Sequence, residues 1–464
     1  MRKPLHVLGS VVIVLLLLLH PLTSFAGSDG AAVSGGVPRF TLEQAVLTAL
    51  QRNPQIQRAR QEIERTKGLY LELRADALPR VDATGQFSDT DPHLSNFTGD
   101  GGNGSFVDPV TGQTVGGRSS GLERQYSFNL RATQIVFAGG RVVSQIRSAD
   151  FQRDSAYFGF RDAIDAVIAL VRQQFYQILL NRALIGVQEE SIRLLESQLQ
   201  DQQNRFEAGT VPRFNVLQAQ VALSNQQPEL ISARNNYRIA QLQLARTIGL
   251  DFDPVRGDSA PLEAVGNLSY VPRSIPLTRA IEVAKERRPL LKQQKSNVLA
   301  SNAQVGVARS GYFPQISATG GSDFRSSPIS ENIHDVRSGY ALGATGSWAI
   351  WDWGQTYGRV KQAKAILQQS KISLDDASRQ VELEVQQAYS NIVQGRELIR
   401  SQQQTVGQAE EALRLASARL SAGAGTQLGV LNARIEVTRA QSIFLQALYT
   451  SHAALAGFDR VAET

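Results

Sequence analysis

The strongest constraint on the fold is that the sequence repeats itself. TLEQAVLTALQRNP at 41–54 corresponds to PLTRAIEVAKERRP at 276–289, and ALPRVDATG at 77–85 corresponds to YFPQISATG at 312–320. Both matches have the same offset, because position 41 matches 276 and position 77 matches 312. A unit of this length is too long for a solenoid repeat, so each copy is expected to be a domain-sized module.

Further matches continue at a shorter offset. Gly140 in QIVFAGGRV corresponds to Gly354 in AIWDWGQTY, and RFEAGTVPRFNVLQA at 205–219 corresponds to RLSAGAGTQLGVLNA at 419–433. The second copy is therefore the shorter one, and the segment that it lacks falls between Gly85 and Gln134. We place the two repeats at 38–250 and 277–458. The proline-rich stretch 251–276 is expected to be an irregular linker.

The N-terminal segment 1–26 is expected to be a signal peptide. Arg2 and Lys3 precede the short apolar run 11–19, and small residues precede Gly27, the expected mature start. The chain has no cysteine, which excludes disulfides and a lipid anchor attached to a cleavage-site cysteine. We therefore expect export into or beyond the periplasm without a lipid anchor.

Charge and motif content give no sign of an enzyme or of a nucleic-acid-binding protein. The net charge is +6, or +4 without Arg2 and Lys3, and no basic block is present. The remaining histidines, His93, His334 and His452, have no neighbours at metal-ligand spacing. The sequence therefore predicts no catalytic residue, no metal site and no cofactor.

Each repeat is predicted to begin with a helix and to continue with a β-hairpin. Thr41–Ala77 has helical periodicity and is followed by Pro79. Four stretches then alternate apolar and polar residues, and aromatic residues are frequent near their ends. The predicted strands are 79–88, 125–137, 314–324 and 339–351. Such strands suit either a soluble sheet packed on a core or strands that span a membrane in a barrel.

Very long helices follow the hairpins. Residues 141–208 and 355–422 contain no proline, and each would form a helix about 100 Å long. A helix of this length needs partners along its length. The return helices carry alanines at heptad spacing, which allows close approach along a seam. These alanines are Ala219, Ala233 and Ala240 in the first copy and Ala433, Ala440, Ala447 and Ala454 in the second.

The glycine-rich stretch LSAGAGTQLGVLNA at 420–433 could be a phosphate-binding loop or a turn between helices. Its glycine spacing departs from the dinucleotide fingerprint, and a helical segment rather than a strand precedes it. We therefore interpret Gly209 and Gly423 as residues just past a helix end, where the chain turns back as an antiparallel helical hairpin.

In this order of elements the chain resembles the TolC family of outer-membrane efflux and secretion channels. The resemblance covers about 38–458 and is carried by the tip sequences AGTVPRFNVLQAQ and AGAGTQLGVLNAR and by the helix–proline–strand junctions at Pro79 and Pro314. It implies a mainly α fold with a small β part. It also implies a homotrimer with a twelve-stranded β-barrel, four strands from each chain, above an α-helical periplasmic tunnel.

The resemblance also implies partners and contact sites. The expected partners are outer-membrane lipid, a periplasmic adaptor and an inner-membrane pump of the RND or ABC type. Loops 89–124 and 325–337 would lie outside the cell, and the linker would form a belt around the tunnel. Adaptor contacts are expected at the tips, at Ala208, Gly209, Thr210, Ala422, Gly423 and Ala424. Membrane-interface aromatics are expected at Tyr126, Phe128, Tyr340, Trp348 and Trp351.

The periplasmic aperture is where the sequence departs from the family. Family members often place carboxylates just after the second tip, whereas the matching positions here are the uncharged Asn215, Gln218, Gly429 and Asn432. We expect an entrance held by amide hydrogen bonds, with weak discrimination by charge. The competing interpretations are a soluble periplasmic coiled-coil adaptor or spacer, which would not need amphipathic strands, and a secreted enzyme.

Overall fold

A computed structural model describes most of the chain after residue 36. The described residues are 37–89, 105–107, 114–116, 124–251, 261–270, 272–273, 276–326 and 336–462. All elements lie within one compact unit, Arg39–Thr464. The expected signal peptide 1–26 lies outside the described residues, as do His93, His334 and parts of the linker 251–276.

The chain is mainly helical with a small β part, and the predicted fold class is confirmed in this respect. The helices are α1 (Leu42–Arg52), α2 (Pro54–Ala75), α3 (Arg141–Glu207), α4 (Arg213–Ile248), α5 (Leu277–Arg287), α6 (Pro289–Arg309), α7 (Gln355–Ser421) and α8 (Gln427–Ala462). The strands are β1 (Arg39–Phe40), β2 (Arg80–Asp89), β3 (Ser105–Val107), β4 (Thr114–Gly116), β5 (Arg124–Ala138), β6 (Glu263–Ala264), β7 (Gln315–Ser326) and β8 (Val336–Ser347).

The single helix predicted over Thr41–Ala77 is wrong, because the chain forms two helices that meet at Asn53. Pro54 disfavours the helical backbone for the residue before it, and Asn53 is extended, with φ −61° and ψ 126°. The Asn53 side chain then caps α2 by accepting the backbone N–H groups of Gln55, at 2.7 Å, and Ile56, at 3.2 Å. Arg288, before Pro289, has nearly the same backbone angles at the start of α6.

The duplication in the sequence is visible as a repeated contact. Asn53 Nδ2 donates to the carbonyl of Thr247 at 2.6 Å, near the end of α4. Arg288 Nη1 donates to the carbonyl of Val461 at 3.4 Å, near the end of α8. Asn53 and Arg288 are equivalent at the longer offset of the repeat, and Thr247 and Val461 are equivalent at the shorter one. The two halves thus join the first helix pair to the return helix at the same place.

Four strands form one antiparallel sheet in the order β2-β5-β7-β8. Each half contributes one hairpin, and the pairing of β5 with β7 joins the halves, with Phe128 opposite Phe324. Strands β2 and β8 are the sheet edges, and neither has an outer partner strand among the described residues. The register of β5 shifts at Val136, between Ile135 and Phe137, so the alternation predicted through 137 is interrupted there.

Strand ends differ from the predicted loop boundaries at three places. Residues 325–326 and 336–337 belong to β7 and β8, although the sequence predicts an external loop over 325–337. The segment 89–124, also predicted to be a loop, contains the short hairpin of β3 and β4. At its other end β8 stops at Ser347 rather than 351, so Trp348 and Trp351 follow the strand.

The helices α3 and α7 have 67 residues each, about 100 Å, and each packs against the return helix that follows it. In the alanine seams, Ala219, Ala240, Ala440 and Ala447 are buried, whereas Ala233, Ala433 and Ala454 are half-buried. Gly395 of α7 lies so close to α8 that an added Cβ would be 3.2 Å from Ser451 Cα. Small residues therefore do allow these helices to approach closely.

The two largest apolar clusters lie where the short helices meet the long ones, and a small third cluster joins α7, α8 and the linker at Ile399, Leu448 and Leu268. The largest cluster joins α1, α3, α4 and the linker, and it includes Phe175, Ile178, Leu244, Ile248 and Leu262. The second joins α5, α6, α7 and α8. Among the described helices, α3 alone is long and apolar enough to cross a bilayer by composition. Its apolar residues between 167 and 180 are largely buried in the first cluster.

The described part of the linker, 261–270 with 272–273, is held by all four long helices. Arg182 of α3 donates to the carbonyls of Ala264, at 2.9 Å, and Gly266, at 2.7 Å. Gln241 of α4 donates to the carbonyl of Leu262 at 2.7 Å.

Helices α7 and α8 of the second half bind the same linker segment near Arg273. Asp459 of α8 accepts from Arg273 at 2.5 Å and from Arg172 of α3 at 2.8 Å. Arg396 of α7 donates to the carbonyl of Arg273 at 3.2 Å, and His452 of α8 hydrogen-bonds the carbonyl of Ser269 at 2.9 Å. The linker therefore ties the two halves together at one level.

Candidate functional surfaces

One face of the four-stranded sheet is apolar and uncovered. The register places Val81, Leu130 and Leu342 on the same side, together with Phe87 and Tyr340. Tyr340 is 84% exposed and Leu342 79% exposed, and every residue of β8 is exposed. A soluble sheet buries its apolar face on a core, whereas this face has no covering element among the described residues. Such a surface is suited to lipid.

The opposite face is polar and carries six charged side chains. Arg80 pairs with Asp82 at 2.8 Å, and Arg131 pairs with Asp323 at 3.6 Å. Arg325 and Arg337 are on the same face and are directly opposite each other in the register. This face also lines a hollow of about 640 Å³ that includes Arg325 and Arg337. The two faces are those expected of a strand set between lipid and water.

The predicted interface aromatics fall into two groups at opposite ends of the sheet. Tyr126, Phe128 and Tyr340 lie toward the ends far from the helices, where Phe128 contacts Phe324 with ring centroids 6.2 Å apart. Trp348 and Trp351 lie beside the helices and are exposed. The stretch from Tyr340 to Trp348 spans about 26 Å along an extended chain. At a strand tilt of about 40° this stretch rises about 20 Å, which is close to the height of the apolar band that aromatic girdles flank in a membrane barrel.

Both helical hairpin tips are turns with a left-handed glycine. Gly209 has φ 70° and Gly423 has φ 73°. The N–H of Thr210 donates to the carbonyl of Arg205, and the N–H of Ala424 donates to that of Arg419, each at 2.9 Å. This pattern satisfies the last carbonyls of a helix. The tip residues Ala208, Gly209, Thr210, Ala422, Gly423 and Ala424 are all exposed.

The four aperture candidates follow these tips. Asn215 and Gln218 are half-buried on α4, whereas Gly429 and Asn432 are exposed on α8. Within the described part of the chain, no hydrogen bond joins their side chains to one another. The assignment of these residues to an aperture therefore stays a prediction that depends on neighbouring copies.

The structure has a groove near the tips that the sequence analysis does not predict. It lies between α3, α4 and α8, has a volume of about 500 Å³, and is lined by the exposed Phe214, Leu217 and Val221. Arg434 also lines it, and its buried Nε and Nη1 atoms have no partner among the described residues. Burial lowers the pKa of Arg434. The spacing i, i+3, i+7 from Phe214 to Val221 is the signal that could have revealed the groove.

No group of three or more metal-ligating side chains occurs in the part of the chain that the structure describes. His452 is stacked on Tyr176 with ring centroids 4.1 Å apart, and it bonds the carbonyl of Ser269. Burial lowers the pKa of His452, and the bond to Ser269 opposes this only in part. These contacts give His452 a structural role in holding the linker.

Comparison with known proteins decides the family. The family described as Outer membrane efflux protein matches residues 46–250 and 280–461, most of the chain and one segment in each half. The chain belongs to this family. Its members are outer-membrane channels and not enzymes, so the predicted resemblance, the outer-membrane location and the absence of an enzymatic role are confirmed.

Two curated relatives are similar over much of the chain. The probable efflux pump outer membrane protein TtgC of Pseudomonas putida is 25% identical over 438 residues, 90% of this chain and 82% of the relative. The alkaline protease secretion protein AprF of Pseudomonas aeruginosa is 25% identical over 297 residues, 62% of this chain and 60% of the relative.

Solved structures have the same fold at low sequence identity. The outer-membrane channel CmeC of Campylobacter jejuni has a TM-score of 0.76 at 17% identity and covers 91% of this chain and 85% of its own. VceC of Vibrio cholerae has a TM-score of 0.75 at 15% identity and covers 91% and 95%. The helix, hairpin and long-helix arrangement of this efflux family member is therefore that of known channels.

Proposed function

We propose that this efflux family protein forms a passive exit duct across the outer membrane as a homotrimer. The single observation that carries the proposal is the sheet with one face of exposed apolar residues and two unpaired edges, β2 and β8. Open sheet edges are not tolerated in lipid, because unpaired backbone groups there cost several kcal/mol each. Pairing β8 of one copy with β2 of the next removes every edge, and three copies give a barrel of twelve strands.

The long helices form the periplasmic wall of the duct. Their surfaces away from the two apolar cores are mostly polar, which suits a tube filled with water. We place the tips toward the inner membrane, since the sheet is at the other end of α3 and α7.

The proposed partners are a periplasmic adaptor at the exposed tips and an inner-membrane pump of the RND or ABC type. TtgC is named as part of an efflux pump and AprF as a protease secretion protein. Small-molecule efflux and type I secretion are therefore both candidate transport roles for this chain. A soluble adaptor or spacer fits less well, because it has no use for the uncovered apolar sheet face.

Extraction and conductance test the duct. We expect the protein in the outer-membrane fraction, and we expect its extraction to require detergent. The purified protein should have the mass of three chains. In planar bilayers it should produce discrete conductance steps. A freely soluble periplasmic monomer without channel activity would contradict the proposal.

The uncharged entrance has a test of its own. Because Asn215, Gln218, Gly429 and Asn432 carry no charge, hexamminecobalt(III) added on the periplasmic side should block conductance weakly. As a control, the variant N432D should create a site for this trication and increase the block. Strong micromolar block of the unmodified channel would contradict an entrance without an acidic ring.

A further inference from the structure

The polar face of the sheet has an unbalanced pair of arginines. Its described charged residues are four arginines and two aspartates, and the aspartates are engaged by Arg80 and Arg131. Arg325 and Arg337 form no ion pair with any described carboxylate. They are direct cross-strand partners in β7 and β8. Like charges in such positions destabilise a sheet unless something compensates them.

The position of this pair is at the end of the sheet far from the helices. The row that contains it runs Gln86, Ser127, Arg325, Arg337 across the four strands. Neighbouring strands are about 4.8 Å apart, which is less than the Debye length of about 8 Å in physiological salt, so the two charges are poorly screened from each other. Asp323 is two residues from Arg325 on the same face, but it pairs with Arg131.

We propose that Arg325 and Arg337 form an anion-attracting collar at the outer mouth of the duct. This inference rests on the proposed trimeric channel, because closure of the barrel brings six guanidinium groups into one ring. Guanidinium groups bind carboxylate and phosphate oxygens in bidentate fashion, and a ring of one sign concentrates the opposite ion in a pore. The collar favours the exit of anionic solutes, while the uncharged entrance adds little preference of its own.

Reversal potentials in planar bilayers under a KCl gradient test the collar. The unmodified channel should prefer chloride. The variant R325Q/R337Q should lower the chloride-to-potassium permeability ratio at least about twofold, since the ring contributes a potential of order kT or more. The matched control R131Q/D323N changes two residues on the same face without changing net charge, and its ratio should stay as in the unmodified channel.

Side-specific block by inorganic tripolyphosphate gives a second measurement. Block from the outer side should weaken about tenfold in R325Q/R337Q, whereas block from the periplasmic side should not change. If the double variant fails to assemble, R325Q and R337Q alone, which each remove three of the six charges, should give intermediate ratios.

The outcomes separate the collar from the duct. A channel that prefers cations, or a ratio that is equal in the unmodified protein and R325Q/R337Q, would overturn the collar and leave the duct in place. Absence of any channel activity from correctly assembled protein would overturn the duct itself.

Discussion

At the residue scale, Asn53 and Arg288 hold equivalent positions in the two halves with different chemistry. Asn53 caps α2 and also bonds the carbonyl of Thr247. Arg288, whose side chain is 4% exposed, bonds the carbonyl of Val461 and pairs with Glu384 at 2.6 Å. The sequence repeat predicts that these two positions correspond. It does not predict their shared contact, because the helix ends that they reach are far away along the chain.

Replacing Asn53 tests this junction. N53A removes the cap of α2 and leaves the buried carbonyl of Thr247 without its donor, so we expect a loss of about 2 kcal/mol of stability. The thermal midpoint of the detergent-extracted protein should fall by about 3 °C. Q57A, an exposed substitution one turn further along α2, should leave the midpoint unchanged. An equal midpoint for N53A and Q57A would show that the junction is not stabilising.

At the element scale, the long helices and the two-sided strands could be predicted because their periodicities are visible in the sequence. The strand register could not, since it depends on the hairpin connections and on the bulge at Val136. The opposition of Arg325 and Arg337 was missed for this reason, because the sequence predicts a loop at both residues. The break at Asn53 was missed because a proline is compatible with the first turn of a helix as well as with its end.

Glycine substitutions separate turn geometry from available space. Gly209 has open space around its Cβ position but a left-handed backbone, so G209A should cost about 1 kcal/mol. Gly407, inside α7, also has open space but an ordinary helical backbone, so G407A should stabilise by about 0.5–1 kcal/mol. Thermal midpoints of the two variants should therefore move in opposite directions. If G209A also raised the midpoint, the tip would not require its left-handed glycine.

At the scale of the whole molecule, the proposed duct places the sheet in lipid and the helices in water. Alternation in the sequence is compatible with this division, but a soluble sheet shows the same alternation, so the division was expected only from the family resemblance. The structure adds that nothing described covers the apolar face, and the family match places the chain in the outer membrane. The number of copies in the proposed barrel cannot be read from one chain, because each chain shows only the two edge strands, β2 and β8, that would pair with its neighbours.

Two substitutions on β8 test which face meets lipid. Leu342 and Thr345 lie on opposite faces of the strand. Leu342 lies between the interface residue Tyr340 and the middle of the apolar band, so L342R should cost about 1–3 kcal/mol for each chain and should reduce the trimer recovered from outer membranes. T345R should be recovered at nearly the unmodified yield, because its side chain enters water. Equal losses for the two variants would contradict the assignment of faces.

The linker grips the four long helices at nearly one height. Arg182, Gln241, Arg396 and His452 each lie about 40–45 Å from the tip along their own helix. Beyond the linker the two helical hairpins contact each other, for instance through Thr438 and Ser191, so their exposed ends can move only together. Over a length of about 40–45 Å, a tilt of about ten degrees at the level of the linker would move the tips by about 7 Å.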